Sequence, residues 1–207
     1  MEFPERISSR LTSTIASQLK EYPEEKLEEI NYGIAVFITN SYKLLIMMVI
    51  AALLKVFWYY FIALLSFGLL RSFASGVHAK REWTCLPSSI LIFSGIIYAG
   101  MTIKLDKPAL SIIYTICFAV ILRYAPADTE ERPIVSLKLR RRLKVMSCIT
   151  LLLLYSYSLF FIAGPFSSMV AFSALAECAM ILPITYRLTG SVYGTGIKIK
   201  EKMEVRK

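Results

Sequence analysis

The sequence predicts an all-α polytopic membrane protein, with about six transmembrane helices and an N-terminal amphipathic helix at the interface. Three observations predict it. Hydrophobic residues make up 56% of the 207 positions, above the roughly 45–50% of a soluble domain. They gather into runs that approach about 20 residues, the length that crosses about 30 Å of hydrocarbon. The runs are continuous rather than alternating, which suits helices and not barrel strands.

The spans fall at residues 33–53, 56–71, 87–103, 108–124, 145–163 and 167–186. The second and third are short, and cross only with unusual tilt or in part. The first 32 residues carry eleven charges and lack the apolar core of a cleavable signal. Within residues 7–22, Ile7, Leu11, Ile15, Leu19 and Tyr22 recur at helical spacing with polar residues between them, which predicts a helix lying on the membrane surface. Pro23, Glu24 and Glu25 then suit the start of a second helix that runs into the first span. The chain thus divides into an N-terminal segment (1–32), a membrane domain (33–187) with loops at 71–86 and 125–144, and a basic tail (188–207).

The net charge is +9, and its placement matters more than its sum. Arg71, Lys80 and Arg81 follow span two, and Arg123, Arg132, Lys138, Arg140, Arg141, Arg142 and Lys144 follow span four. Arg187, Lys198, Lys200, Lys202, Arg206 and Lys207 follow span six. The opposite loops hold only Lys55, Lys104 and Lys107. The positive-inside rule therefore places both termini and these loops in the cytoplasm. Because the basic residues flank spans, orientation accounts for them without nucleic acid. Two charges lie inside spans, Lys43 in the first and Glu177 in the sixth. A charge at that depth seldom faces lipid, so the two are expected to face the bundle interior and form a structural pair.

The stretch that can carry chemistry is Arg71 to Cys85. His78 is the only histidine, and Cys85 is the only one of four cysteines at a polar–apolar boundary. Cys117, Cys148 and Cys178 lie in apolar runs, where cysteine acts as a small hydrophobe. Thiol catalysis needs a sulfur nucleophile, a base to take its proton, and substrate access. A straight helix would separate His78 from Cys85 by about 10 Å along its axis, so residues 76–85 are not expected to form one. Gly76 allows an irregular backbone, and Pro87 favours a helix start just after Cys85. A bystander histidine and an inert thiol remain open on residue types alone. A zinc site is a poor fit to one histidine and scattered cysteines, and no metal or other cofactor is called for.

The pattern Arg71, Gly76, His78 and Cys85 resembles the catalytic region of the AgrB family, the accessory gene regulator membrane endopeptidases. Tyr124, Ala125, Pro126 and Ala127, followed by the basic run 138–144, resemble that family's Tyr-Ala-Pro-Ala motif and basic loop. Gly33 to Lys43 in the first span and Glu177 to Pro183 in the last are further matches, and the likeness covers most of residues 30–187. One departure is that Asp128, Glu130 and Glu131 stand where a family member has lysines. It leaves Arg140, Arg141 and Arg142 as the patch for an acidic substrate. The resemblance implies a bacterial cell-membrane cysteine endopeptidase whose catalytic residues are His78 and Cys85. Its substrate would be an AgrD-like propeptide with an acidic tail, met by Arg71 and the three arginines. Cys85 would form an acyl-thioester, and a nucleophile within the peptide would close a thiolactone or lactone. A homodimer is one assembly left open; besides substrate, the bilayer is the expected partner.

Two other functions compete. A small transporter would suit six spans, although no phosphate-binding Gly-Lys motif and no inverted repeat is evident. A non-catalytic scaffold would leave Cys85 dispensable. Neither explains why the one histidine stands close in sequence to the one well-placed cysteine.

Overall fold

A computed structural model describes residues 3–18, 23–77, 82–129, 133–161, 164–194 and 196. Among them are eight helices and no strand. They are α1 (Phe3–Gln18), α2 (Glu24–Leu53), α3 (Phe57–Ala74), α4 (Glu82–Thr102), α5 (Lys107–Tyr124), α6 (Leu137–Phe160), α7 (Pro165–Ile181) and α8 (Pro183–Thr189). Five of them, α2 to α6, are long and apolar enough to cross a membrane, and α7 with α8 forms a sixth, bent candidate. The chain divides into two compact units, Met1–Lys55 and Val56–Lys207.

In the first unit, α1 packs on α2 through its small polar face. Ser8 and Thr12 are buried, and Thr12 Oγ1 donates to Asn31 Oδ1 at 3.3 Å. Leu11, from the apolar stripe, remains 47% exposed. Ile7 and Ile15 of the same stripe are partly buried, and Leu19 and Tyr22 lie outside the described residues. Pro23 caps α2, which then runs unbroken from its acidic first turn to Leu53, as the sequence predicts.

In the second unit, α7 is the central helix, with α3, α4, α5 and α6 packed around it. Its sequence explains this position. Ser167, Ser168, Ala171, Ser173 and Ala174 are small and buried, which lets neighbouring backbones approach where no water drives helices together. Gly100 of α4 marks a close approach to α7, because a Cβ there would overlap Met169 Cγ. Hydroxyls tie the end of the bundle that starts α5 and α7. Tyr114 Oη and Ser158 Oγ pair at 2.8 Å, and Ser167 Oγ donates to the Ser158 carbonyl at 2.8 Å. Ser168 Oγ accepts from Leu105 N–H at 3.1 Å. The outside of the bundle is apolar, with Leu91, Tyr98 and Leu153 all largely exposed.

Three boundaries differ from the expected spans. The sixth span breaks at Leu182, where α7 and α8 meet at 68°. Leu182 is extended at ψ 139°, because a residue before proline is pushed out of the helical region and Pro183 can begin a helix but not continue one. α6 begins at Leu137, so the basic run 138–144 lies on its first turns and not in a loop; Ser136 caps it, accepting from Leu139 N–H at 3.4 Å. α4 begins at Glu82, before Cys85 rather than after it, and Pro87 lies inside the helix.

Candidate active site

The site is built where α3 stops. Arg71 stands in the last turn of α3. Ser75 then takes φ 61° and ψ −152°, a region essentially restricted to glycine and costing about 1–3 kcal/mol. Gly76 follows at φ 142°, which side chains disfavour. Such a backbone persists only when its surroundings over-determine it. Three hydrogen bonds do so. Ala127 N–H donates to the Ala74 carbonyl at 2.9 Å, and Val77 N–H to the Met180 carbonyl at 3.2 Å. Arg71 Nη2 donates to the Val77 carbonyl at 2.5 Å.

Arg71 also reaches α7, where its Nη1 donates to Glu177 Oε2 at 3.1 Å. The Glu177 side chain is 0% exposed, and its Oε1 has no hydrogen-bond partner among the described residues. Gly76 passes beside this pair. A Cβ there would stand 3.2 Å from Arg71 Nη1 and 3.3 Å from Glu177 Oε1. Only a glycine lets the chain turn and the ion pair form in the same place.

This pairing bears on two expectations. Arg71, expected to meet substrate, is tied to Glu177 and to the Val77 carbonyl. Glu177, reserved for Lys43, takes its cation from its own unit. The sequence argument counted only charges inside spans, whereas an arginine at a helix end can extend its guanidinium into the bundle. Lys43 lies in the other unit, with Nζ 5.9 Å from the Tyr42 ring centroid.

The residue after Val77 is His78, which lies outside the described residues together with Lys80 and Arg81. Cys85 is described. It is partly buried in the first turn of α4. Cys117 and Cys178 are buried at 0% and 2% exposure, and Cys148 lies partly buried well inside α6. All four cysteines are free thiols. Among the described residues no group of three His, Cys, Asp or Glu side chains could hold a metal ion.

Beside the α3 end lies the segment 125–129, buried throughout. Asp128 is its anchor. Its Oδ2 accepts from Ile134 N–H at 3.1 Å and Gly196 N–H at 2.7 Å, and its Oδ1 accepts from Arg140 Nη2. Arg140 also donates from Nη1 to the Pro126 carbonyl at 3.1 Å and from Nε to the Ile134 carbonyl at 3.4 Å. Tyr186 Oη donates to the Ala127 carbonyl at 2.7 Å, and Tyr193 Oη to the Tyr124 carbonyl at 2.8 Å. Burial pushes the Tyr193 hydroxyl up from its ordinary value, with nearby Arg140 opposing and Asp128 adding to the shift. Arg140 is thus a fold residue and not a free member of the basic patch. Arg141 and Arg142 are exposed. The sequence reading singled out Asp128 only as a departure from the family's lysines and did not give it an anchoring role.

Comparison with known proteins places this arrangement in a family. The family model Accessory gene regulator B matches residues 8–181. The chain belongs to the AgrB family. The match runs from α1 to the end of α7 and so includes Arg71, His78, Cys85, the Asp128 segment and Glu177. An AgrB-like protein of Clostridium acetobutylicum is 30% identical over 168 residues, covering 81% of this chain and 80% of its own length. The Accessory gene regulator protein B of Staphylococcus carnosus is 32% identical over 160 residues, covering 76% and 82%. That of Staphylococcus aureus (strain MW2) is 27% identical over 158 residues, covering 76% and 83%. No solved structure matches. Membership ties this AgrB chain to accessory gene regulation, and its apolar helices fit a multi-pass membrane protein.

Proposed function

We propose that this AgrB protein is a membrane cysteine endopeptidase that removes the acidic C-terminal tail of an AgrD-like propeptide. The observation that carries this reading is the position of Cys85. It is a partly buried cysteine in the first turn of α4, seven residues beyond the histidine of the family pattern. The strained turn at Ser75 and Gly76 lies next to that histidine in sequence, and such turns cluster at active sites.

In this reading Cys85 Sγ attacks the peptide carbonyl that joins the signal segment to the tail. His78 takes the thiol proton and gives it to the amine of the departing tail. The C–N bond breaks and an acyl-thioester remains on Cys85. A thiol or hydroxyl within the bound peptide then attacks that thioester, which frees Cys85 and closes a thiolactone or lactone. Keeping water away favours this internal nucleophile over hydrolysis.

The test is co-expression with a propeptide carrying an amphipathic N-terminal part, a central cysteine and an acidic tail, followed by mass spectrometry. Wild-type protein should release the tail. Cys85→Ala should release none, and His78→Ala should lose at least about a hundredfold in rate, the usual contribution of a general base. Tail release by Cys85→Ala at the wild-type rate would sink the assignment and favour a scaffold or transporter.

A further inference from the structure

We propose that Glu177 is a positioning residue for peptide cleavage, acting through Arg71 on the peptide unit that leads into His78; this rests on the endopeptidase reading above. Glu177 stands on α7 and Arg71 on α3, and their ion pair at 3.1 Å joins the central helix to the end of the helix that precedes the catalytic stretch. The second arm of Arg71 holds the Val77 carbonyl at 2.5 Å. The Val77 N–H is held from the other side by the Met180 carbonyl, also on α7, at 3.2 Å. Both polar backbone groups of the residue before His78 are therefore fixed to α7, one directly and one through the Arg71–Glu177 pair.

The carboxylate is poorly explained as a packing element. A fully buried charge is costly, and one of its two oxygens has no hydrogen-bond partner among the described residues. That oxygen faces Gly76, at the distance where a Cβ would sit 3.3 Å away. An apolar residue at 177 would avoid these costs. It would also release one arm of Arg71, and the contacts left to the guanidinium, the Val77 carbonyl and the Phe67 ring at 5.5 Å among them, would hold it without the carboxylate's direction. What the carboxylate supplies is direction, since it fixes the planar fork of Arg71 so that the other arm meets the Val77 carbonyl. Because the backbone at Ser75 and Gly76 is strained, loss of that hold lets the segment relax. A displacement of about 1 Å at a catalytic group can cost about a hundredfold in rate.

The experiment uses the full-length protein in lipid vesicles. The probe is a synthetic peptide with an amphipathic N-terminal part, a central cysteine and an acidic tail. Tail release is measured for wild type, Cys85→Ser, Glu177→Gln, Glu177→Ala, Arg71→Ala and the double variant Arg71→Ala/Glu177→Ala. Alkylation of the buried Cys117 reports whether each variant keeps its fold. The expected result is a fall in kcat of about 10- to 100-fold for Glu177→Ala with KM within about twofold. Glu177→Gln, which keeps an oxygen for Arg71, should fall less. The double variant should be no slower than Arg71→Ala, because the two residues act as one unit. Wild-type kcat in Glu177→Ala with Cys117 protected overturns the proposal. If Glu177→Ala exposes Cys117, a wild-type kcat in folded Glu177→Gln together with additive losses in the double variant overturns it. Release by Cys85→Ser at the wild-type rate instead overturns the endopeptidase reading.

Discussion

At the scale of single residues, Asp128 shows how one carboxylate can hold three parts of the chain. It accepts hydrogen bonds from the 133–136 connection through Ile134, from α6 through Arg140, and from the tail through Gly196. The side chain is fully buried while that of Arg140 is 16% exposed, so removing the acid leaves a partly desolvated guanidinium and two N–H donors without their acceptor. Breaking a buried pair from one side costs about 3–5 kcal/mol. Asp128→Ala should therefore melt well below wild type in detergent, Asp128→Asn should fall between them, and Arg141→Ala should melt as wild type. An Asp128→Ala protein with an unchanged melting temperature would remove Asp128 from the fold's support. From sequence alone, Asp128 read as the loss of a basic contact. Its actual role depends on Gly196 and Ile134 arriving at the same carboxylate, and no local pattern announces a meeting of residues 68 apart.

At the scale of elements, the long helices were legible because lipid imposes one strong demand, a continuous apolar run of fixed length. The places that were not legible are those where another term competes with that demand. The run 138–144 is too charged to be lipid-facing and so looked like a loop, yet arginine, lysine and leucine are good helix formers and Ser136 caps them into α6. The 167–186 run looked continuous because hydropathy does not register the backbone restriction at Leu182 and Pro183. The centrality of α7 was equally hidden, since its small buried residues are mild in hydropathy but decisive in packing. Gly100 tests that packing. A Cβ there would overlap Met169 Cγ and lie 3.1 Å from Met169 Cα and N, so α4 and α7 would have to separate. Gly100→Ala should cost about 1–3 kcal/mol, the range for overpacking a tight core. Met169→Ala should recover only part of it, because the backbone contact remains. Full recovery, or no loss at all, would show that the two helices are not in close register.

At the scale of the whole molecule, the charge distribution and the proposed reaction make one demand together. The positive-inside rule acts on the ends of spans and the connections between them, and the Arg71–Cys85 stretch and the exposed pair Arg141 and Arg142, on the first turns of α6, stand at such ends. An acidic substrate tail would then meet the catalytic stretch and a basic surface on the same side of the membrane. Orientation alone could account for those arginines, and so could anionic lipid, at about 1 kcal/mol per residue. The alternatives separate experimentally. In a Cys85→Ser background, Lys104→Cys on the weakly charged side should react with an impermeant maleimide in intact cells, and Arg142→Cys only after permeabilisation; the reverse pattern would invert the proposed topology. With Cys85 restored, reversing both Arg141 and Arg142 to Glu should raise KM for an acidic-tailed peptide while leaving kcat nearly unchanged, because the tail is bound in ground state and transition state alike. A peptide with a basic tail should recover part of the loss, since the repulsion introduced by the reversal becomes attraction. A lipid contact predicts no such recovery, because changing the substrate's charge does not alter the bilayer. Arg140 is left out of this reversal: it is committed to Asp128, and its loss would lower activity through the fold whatever the substrate carried.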